Sequence, residues 1–521
     1  TYPIRAPQRY STGNSIILRK LTRNDEYVEP PITLVYNNEC GCKAVENRTR
    51  GILILSYVDG KEPFSFAPCE SNIAIGLRLR FLRDLPKIEY AYWELIEKHL
   101  FNVLKEYNKA PFISHKGFYH KWVSKFNQAK QTRMNNAKYE NSTDNIFSSS
   151  ICCKYEVGFY KEPLKPRVFF PKPDANLVHN GPVMNLIKNK IMRLFNGVKT
   201  PFIFGPGNTP LSIGNKFTKA IEKYLPHDFT CVELDLSMCE TTMRGPFLIV
   251  EELVYKHLGI NRWDIEFLLH HRFSYGRSVK QNLKWSMPFC RESGTANTTL
   301  GNTVVFATML WSAMQEYKIP FVCLIGGDDA CVYLPRHLQF VFPKVVDIIT
   351  KCGLKPEPIY HKHFFEGRFF AGRIMTCRKI NSNERVYAHV PLIGRCIAKN
   401  LCCKISQGQR FDTWLRDVSI GRQFDWEHVP CLSVVNRAIR SKFQHVVGKC
   451  VVEVPYRDIK TERLTFGLCD ETYEQLAQVY QIQVDDIISL ENYLHKHFNG
   501  DWIGKPLQSE ILEIMCEVDL K

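Results

Sequence analysis

Phe321–Leu334, FVCLIGGDDACVYL, leaves its part of the chain few conformations to choose from. Two runs rich in Val, Ile, Leu and Cys flank Gly326-Gly327-Asp328-Asp329. Apolar β-formers on either side of a glycine–aspartate tip spell a hairpin, because Gly and Asp tolerate the φ > 0 conformations of a tight turn. Flanks this apolar predict strands buried on both sides. Two adjacent carboxylates on a buried tip are costly unless a cation or base neutralises them. A solvated turn is the plainer use of such a tip, so the segments around it must decide.

Upstream, Thr230–Leu236 reads as a β-branched, apolar strand with Asp235 near its carboxyl end, and Glu240 follows five positions later. A rigid strand end is a common seat for a metal-ligating acid, although a capping carboxylate would look the same. Arg291–Thr303, RESGTANTTLGNT, leads into an apolar helix, Val304–Tyr317. Ser293-Gly294 gives a flexible turn, and Thr298 and Asn302, four apart, share a helical face. Small hydroxyl and amide groups there could read a ribose, or could simply cap the helix.

The net charge of +16 over 521 residues points to a polyanionic partner, nucleic acid before anionic membrane. Two blocks concentrate it. Lys116–Lys138 carries Lys121, Lys125 and Arg133 with Phe118, Tyr119, Trp122 and Phe126 interleaved, and no Asp or Glu. Cations for phosphates and aromatic faces for bases suit a single strand, and a basic helix with core aromatics fits as well. Lys161–Lys190 contains KPRVFFPK, an extended segment between prolines presenting Lys165, Arg167 and Lys172. Fixed Lys and Arg side chains suit a triphosphate.

The remaining chain mainly supplies scaffold. Lys87–Tyr107, Gly214–Tyr224, Gly245–Leu258 and Arg336–Cys352 have helical periodicity. Arg272–Ser286 reads as a hairpin and Phe364–Thr376 as short aromatic strands. Ser15–Leu18, Ile32–Tyr36 and Gly51–Tyr57 are strand-like, and Arg378–Lys521 is mainly helical. No apolar run approaches the roughly 18 residues of a membrane-spanning helix. The first residues lack a signal-peptide core, and the missing initial Met is expected of a fragment or processed product. Nineteen scattered or adjacent cysteines form no zinc-ribbon pattern, Cys40-Gly-Cys42 being the nearest approach, and fit a reducing compartment.

In this order the segments resemble the RNA-dependent RNA polymerases of positive-strand RNA viruses, most closely the tombusvirus- and nodavirus-like branch. Asp235 and Glu240 match that family's motif A. Ser293, Gly294, Thr298 and Asn302 match motif B, S-G-x-x-x-T-x-x-x-N, and Gly327-Asp328-Asp329 match motif C. KPRVFFPK resembles motif F, Lys355 lies where motif D would end, and the stretch around Arg373 looks like motif E. One position departs: the second acid of motif A is usually Asp, and here it is Glu240.

The resemblance implies an α+β polymerase right hand. Residues 1–226 would form fingers, with motif F at 165–172, and 246–285 a fingers insertion. Residues 227–245 and 286–376 would form the palm with its antiparallel sheet, and 377–521 a mostly helical thumb. It implies nucleotidyl transfer with two Mg²⁺ (or Mn²⁺) ions, held by Asp235 and Asp328 with Asp329 secondary. Lys355 would protonate pyrophosphate. Lys165, Arg167, Lys172, Glu240, Ser293, Gly294, Thr298 and Asn302 would bind the nucleotide, and Lys121, Lys125, Arg133 and Arg373 the RNA. The implied partners are single-stranded RNA template, nascent RNA, NTPs and viral or host replication-complex proteins. The implied place is the host cytoplasm, in a complex tethered to membrane by a partner or a missing region. A reverse transcriptase competes within the same architecture, but this chain has Gly327 where a bulky residue typically precedes the two acids. A non-enzymatic RNA-binding or capsid-type protein is the other alternative.

Overall fold

The computed structural model describes residues 9–11, 17, 26–28, 33–36, 49–50 and, from 53 to 520, all but 62, 68, 82–83, 114–117, 140–145, 155, 160–164, 238, 270–272, 279–282, 289–290, 380–381, 404–410 and 449–465. Most of the Ser15–Leu18 strand, Cys40–Cys42 and Lys116 therefore lie outside the described residues.

A five-stranded sheet organises the centre: β1 (Phe202–Phe204), β2 (Phe229–Leu236), β3 (Val322–Gly326), β4 (Asp329–Pro335) and β5 (Pro356–Tyr360). Their order is β1-β3-β4-β2-β5, with β1 parallel to β3 and the other neighbours antiparallel. Alternation along each strand divides two cores. Val232, Leu234, Cys323, Ile325, Ala330 and Val332 enter the larger one. Phe229, Cys231, Val322, Leu324, Cys331 and Tyr333 enter a smaller one on the opposite face. A sheet covered on both sides explains why the hairpin flanks are apolar at every position.

Seven helices matter to the site: α1 (Glu70–Phe81), α2 (Tyr90–Tyr107), α3 (Asp174–Leu194), α4 (Pro210–Tyr224), α5 (Gly245–His257), α6 (Thr298–Glu316) and α7 (Phe342–Lys351). α2, α3, α5, α6 and α7 contribute to the larger core, and α4 covers the other face through Ile213, Phe217 and Ala220. α6 carries no hydrophilic stripe: from Leu300 to Met314 every residue is buried, as expected for a central helix. Thr308 and Ser312 satisfy their hydroxyls by donating to carbonyls four residues back.

Several expectations need correction. Arg336–Cys352 is not one helix, because a 3₁₀ segment, Arg336–Val341, precedes α7, whose first turn contains Pro343. α1 and α3 were not anticipated. α3 contains Pro182, and Gly181 beside it receives the Trp122 ring, at 2.2 Å from where a Cβ would stand. The expected boundary at 376 falls inside a strand: Gly372–Lys379 pairs along its length with Arg385–Pro391.

Beyond Pro391, helices Ile393–Asn400, Leu432–Phe443, Asp470–Tyr480, Val484–Asn499 and Glu510–Asp519 build a separate core. Leu55 and Val58 belong to that core, and Tyr57–Val58 pairs in parallel with Pro506–Leu507. Part of the segment expected to form fingers is thus built into the C-terminal unit. Among the described residues no helix is long and apolar enough to cross a membrane.

Candidate active site

The antiparallel register of β2 and β4 sets Asp235 directly opposite Asp329. On the other side of β2, Asp235 faces Glu357 of β5. The β3–β4 turn lies at this same end, and the Leu236 N–H donates to the Asp328 carbonyl at 3.1 Å. Asp235 and the adjacent pair Asp328-Asp329, more than ninety residues away in sequence, therefore gather at one end of the sheet.

The turn is pinned from below. Gly327 has φ +75°, and its N–H donates to Thr303 Oγ1 of α6 at 2.7 Å. Gly326 packs under Phe370, whose ring lies 2.4 Å from where a Cβ would stand. The Phe370 N–H donates to Asp329 Oδ2 at 2.7 Å. Both glycines are required: one for its backbone conformation, the other for close packing.

The acids raise one another's proton affinity. Asp235 is exposed at the strand end, yet desolvation by the surrounding protein, then the charges of Asp328, Glu357, Glu233 and Glu240, push it up to about 6. Burial, opposed by the Phe370 amide and assisted by Asp328, Asp235 and Glu233, holds Asp329 at about 7. Asp328, also exposed, is raised by desolvation and Glu240, with Arg167 and Arg80 opposing. Such a cluster favours a cation. The donors are hard carboxylate oxygens, which suits Mg²⁺ or Mn²⁺. Among the described residues no group of three or more His, Cys, Asp or Glu is placed to hold a metal ion by itself. A Mg²⁺ site that takes its remaining ligands from water and phosphate has no need of one.

The Arg291–Asn297 segment leading into α6 rests on a sealed polar network. Arg291 and Glu251 are both 0% exposed, with Nη2 donating to Oε2 at 2.5 Å. Asn297 Nδ2 and the Tyr255 hydroxyl donate to Glu251 Oε1 at 2.6 and 2.9 Å. Gly301 lies over this pair, 2.2 Å from Arg291 Nη1 at its missing Cβ. Ser293 accepts the Phe170 N–H on its carbonyl at 2.7 Å, and Gly294, at φ +100°, abuts Phe169 and Phe170. The segment is thereby docked on the KPRVFFPK strand. Asn302 is buried, and no described residue bonds its Oδ1.

The other expected site residues separate into two sets. Lys165 and Arg167 are exposed, and Arg167 acts electrostatically on Asp328. Lys355 is exposed beside the acids, its carbonyl accepting the Ser237 N–H at 2.9 Å. Lys121 and Lys125 are exposed, Lys125 donating to Asn185. Arg133 is exposed but paired in a fork with Asp174.

Three expectations do not survive in the form given. Lys172 is 8% exposed and ion-paired with Glu292 at 2.7 Å, with Ser149 completing the cluster, so it holds the strand to the loop rather than facing a triphosphate. Arg373 is 4% exposed and joined to Asp519 at 3.2 Å, which removes its guanidinium from any RNA surface. Thr298 spends its hydroxyl proton on the Glu292 and Thr295 carbonyls, closing the turn before α6. In the Lys116–Lys138 block, Trp122 is in a small core with Met134 and Val178, and Tyr119 and Phe126 pack against it. Its aromatics are core, not stacking platforms.

Sequence reading missed Arg80, at the end of α1, which ion-pairs with Glu240 across 160 positions. The two basic residues in the last turn of α1 were the available signal. Thr303 and Phe370 were missed as well; Thr303, next to Asn302, was within reach of the same reasoning.

Residues 81–349, just over half of the chain, match the family model described as RNA dependent RNA polymerase. The replicase large subunit of Sunn-hemp mosaic virus is 26% identical over 193 residues, covering 36% of this chain and 11% of that protein. The replicase large subunit of Tobacco mild green mosaic virus is 29% identical over 173 residues, covering 33% and 10%. The one from Pepper mild mottle virus (strain Spain) is 26% identical over 161 residues, covering 31% and 10%. The match spans about a tenth of the length of these relatives, and they do not single out the tombusvirus- and nodavirus-like branch. Taken with the acids and the loop that leads into α6, the family match places this chain among the RNA-dependent RNA polymerases.

Proposed function

We propose that this chain synthesises RNA from ribonucleoside triphosphates on a viral RNA template, with the sheet as the palm of a right hand. The observation that carries the reading is the gathering of Asp235, Asp328 and Asp329 at one end of the sheet, with Asp235 and Asp329 in register and Asp328 in the turn beside them. Asp235 and Asp328 would hold divalent cations, with Asp329 as secondary ligand or charge partner. When bound, two such ions make an RNA 3′-hydroxyl nucleophilic and stabilise the pyrophosphate leaving group.

The chain's own groups do the rest. Lys165 and Arg167 neutralise the triphosphate from an exposed strand, and Lys355 is placed to give a proton to departing pyrophosphate. Ser293, Gly294, Glu240 and Asn302 form the ribose side, and the buried, unpartnered Oδ1 of Asn302 is suited to a substrate hydrogen bond. Lys121 and Lys125 contribute phosphate contacts to the RNA. The setting would be a cytoplasmic replication complex, with other replication proteins supplying any membrane tether.

The test is incorporation of labelled NTPs, with dNTPs in parallel, on a primed single-stranded RNA. Asp328→Asn is expected to abolish incorporation while its melting temperature holds. Substantial turnover in that variant would remove Asp328 from the mechanism. RNA binding without incorporation by the unaltered chain would favour a non-enzymatic role.

A further inference from the structure

Glu240 is the position at which this chain departs from the motif it otherwise matches, and the structure gives that departure a partner. Glu240 lies in the first turn of the short helix Cys239–Thr242 that follows β2. Its Oε1 accepts from Arg80 Nη1, with the two side chains 14% and 20% exposed. The neighbouring Thr241 hydroxyl donates to the Arg80 carbonyl, satisfying an acceptor that a helix end leaves open. α1 is thus clipped to the acid at two points, side chain to side chain and hydroxyl to backbone. On the other side, the Glu240 carbonyl accepts the Arg291 N–H at 3.0 Å, which ties the acid to the start of the substrate loop. Among the described residues none donates to Glu240 Oε2. Both Arg80 and Glu240 act electrostatically on Asp328, so the pair lies beside the catalytic acids.

We infer that Arg80 is a positioning residue for ribose recognition: it fixes Glu240 through Oε1 and leaves Oε2 to accept a substrate hydroxyl. The inference rests on the polymerase reading. The extra methylene of Glu is what carries the carboxylate to Arg80, so the departure from Asp and the presence of Arg80 are one device. An anchored acceptor discriminates better than a mobile one, because its geometry needs no ordering when the nucleotide binds.

The test compares kcat/KM for an NTP and the matching dNTP in single-nucleotide extension by the full chain. Arg80→Ala is expected to lower the NTP value about tenfold and leave the dNTP value nearly unchanged. Arg80→Lys should recover part of the discrimination. Glu240→Asp, too short to reach Arg80, should match Arg80→Ala, and the double variant should be no worse than either single one. If Arg80→Ala fails to fold, Glu240→Asp and Arg80→Lys carry the same comparison. Parallel losses for NTP and dNTP, an unchanged ratio, or additive losses in the double variant would each overturn the inference. If the unaltered chain incorporates neither nucleotide, the polymerase reading itself fails, and the inference with it.

Discussion

Two arginine–glutamate pairs brace the same loop, and they differ in their access to water. Arg291–Glu251 is sealed at 0% exposure and bonded to Asn297 and Tyr255 as well. Arg80–Glu240 stands at 20% and 14% exposure and leaves one carboxylate oxygen without a described protein donor. A pair sealed from water gives a ligand no way in, so its contribution is shape: it fixes where α6 begins. A half-open pair costs less desolvation and keeps a lone pair available. The three aspartates at the end of the sheet form a third kind of site, with no ion pair among the described residues, and there the proposed divalent cations would be the partner.

The largest effect should follow from breaking the sealed pair. Glu251→Gln leaves Arg291 charged and buried, which is expected to cost about 3–5 kcal/mol in denaturant unfolding. If the loss were below about 1 kcal/mol, the network would not be what holds the loop. Gly301→Ala tests the same pair by volume. Its Cβ would meet Arg291 and Glu251 at 2.2 and 2.4 Å, and overpacking of this kind costs about 1–3 kcal/mol, against the gain that alanine normally brings to a helix. A more stable Gly301→Ala protein would mean the pair can shift aside.

The unpaired acids should respond in the opposite direction. Asp329 stands at about 7 in the fold against an ordinary value of 3.8. A raised carboxyl contributes stability that is present below about pH 4 and lost as pH rises through about 7. Asp329→Asn should therefore be close to neutral at pH 4 and stabilising by about 1 kcal/mol or more at pH 8 in divalent-free buffer. Added Mg²⁺ should shrink that gain, and a gain largest at pH 4 would contradict the sign. The smallest stability change belongs to the half-open pair: Arg80→Ala should lose less than about 1 kcal/mol in melting, although its proposed effect on nucleotide choice is large.

The same contrast explains what the sequence could convey. The hairpin, the acid-ended strand and the Ser293–Asn302 segment are written in local chemistry: turn glycines, β-branched runs and a four-residue spacing. Each could be read from its own neighbours, and the structure contains each as an element. The partners of those elements could not be read that way. Arg80 and Glu240 are 160 positions apart, and Ser149 and Glu292 are 143 apart; no periodicity links either pair. Lys172 and Arg373 looked like ligands for phosphate because a basic residue in sequence does not show which acid the fold will bring to it. α3 escaped notice because its Pro182, Gly181 and several asparagines are poor helix formers, and burial against Trp122 and the main core outweighs them.

The pairing of Tyr57–Val58 with Pro506–Leu507 has a consequence for the order of synthesis. The Ser56 hydroxyl donates to the Lys505 carbonyl across 449 positions. At about 5–20 residues per second, ribosomes would need roughly 20–90 s to make that interval. For that time Leu55 and Val58 have left the ribosome without the core they are built for, while the central sheet between them can already be complete. A nascent chain stalled before residue 500 should then be cut by protease near Leu55, and a chain released beyond Leu507 should resist. Equal resistance in the two would mean that the early segment finds other cover while it waits.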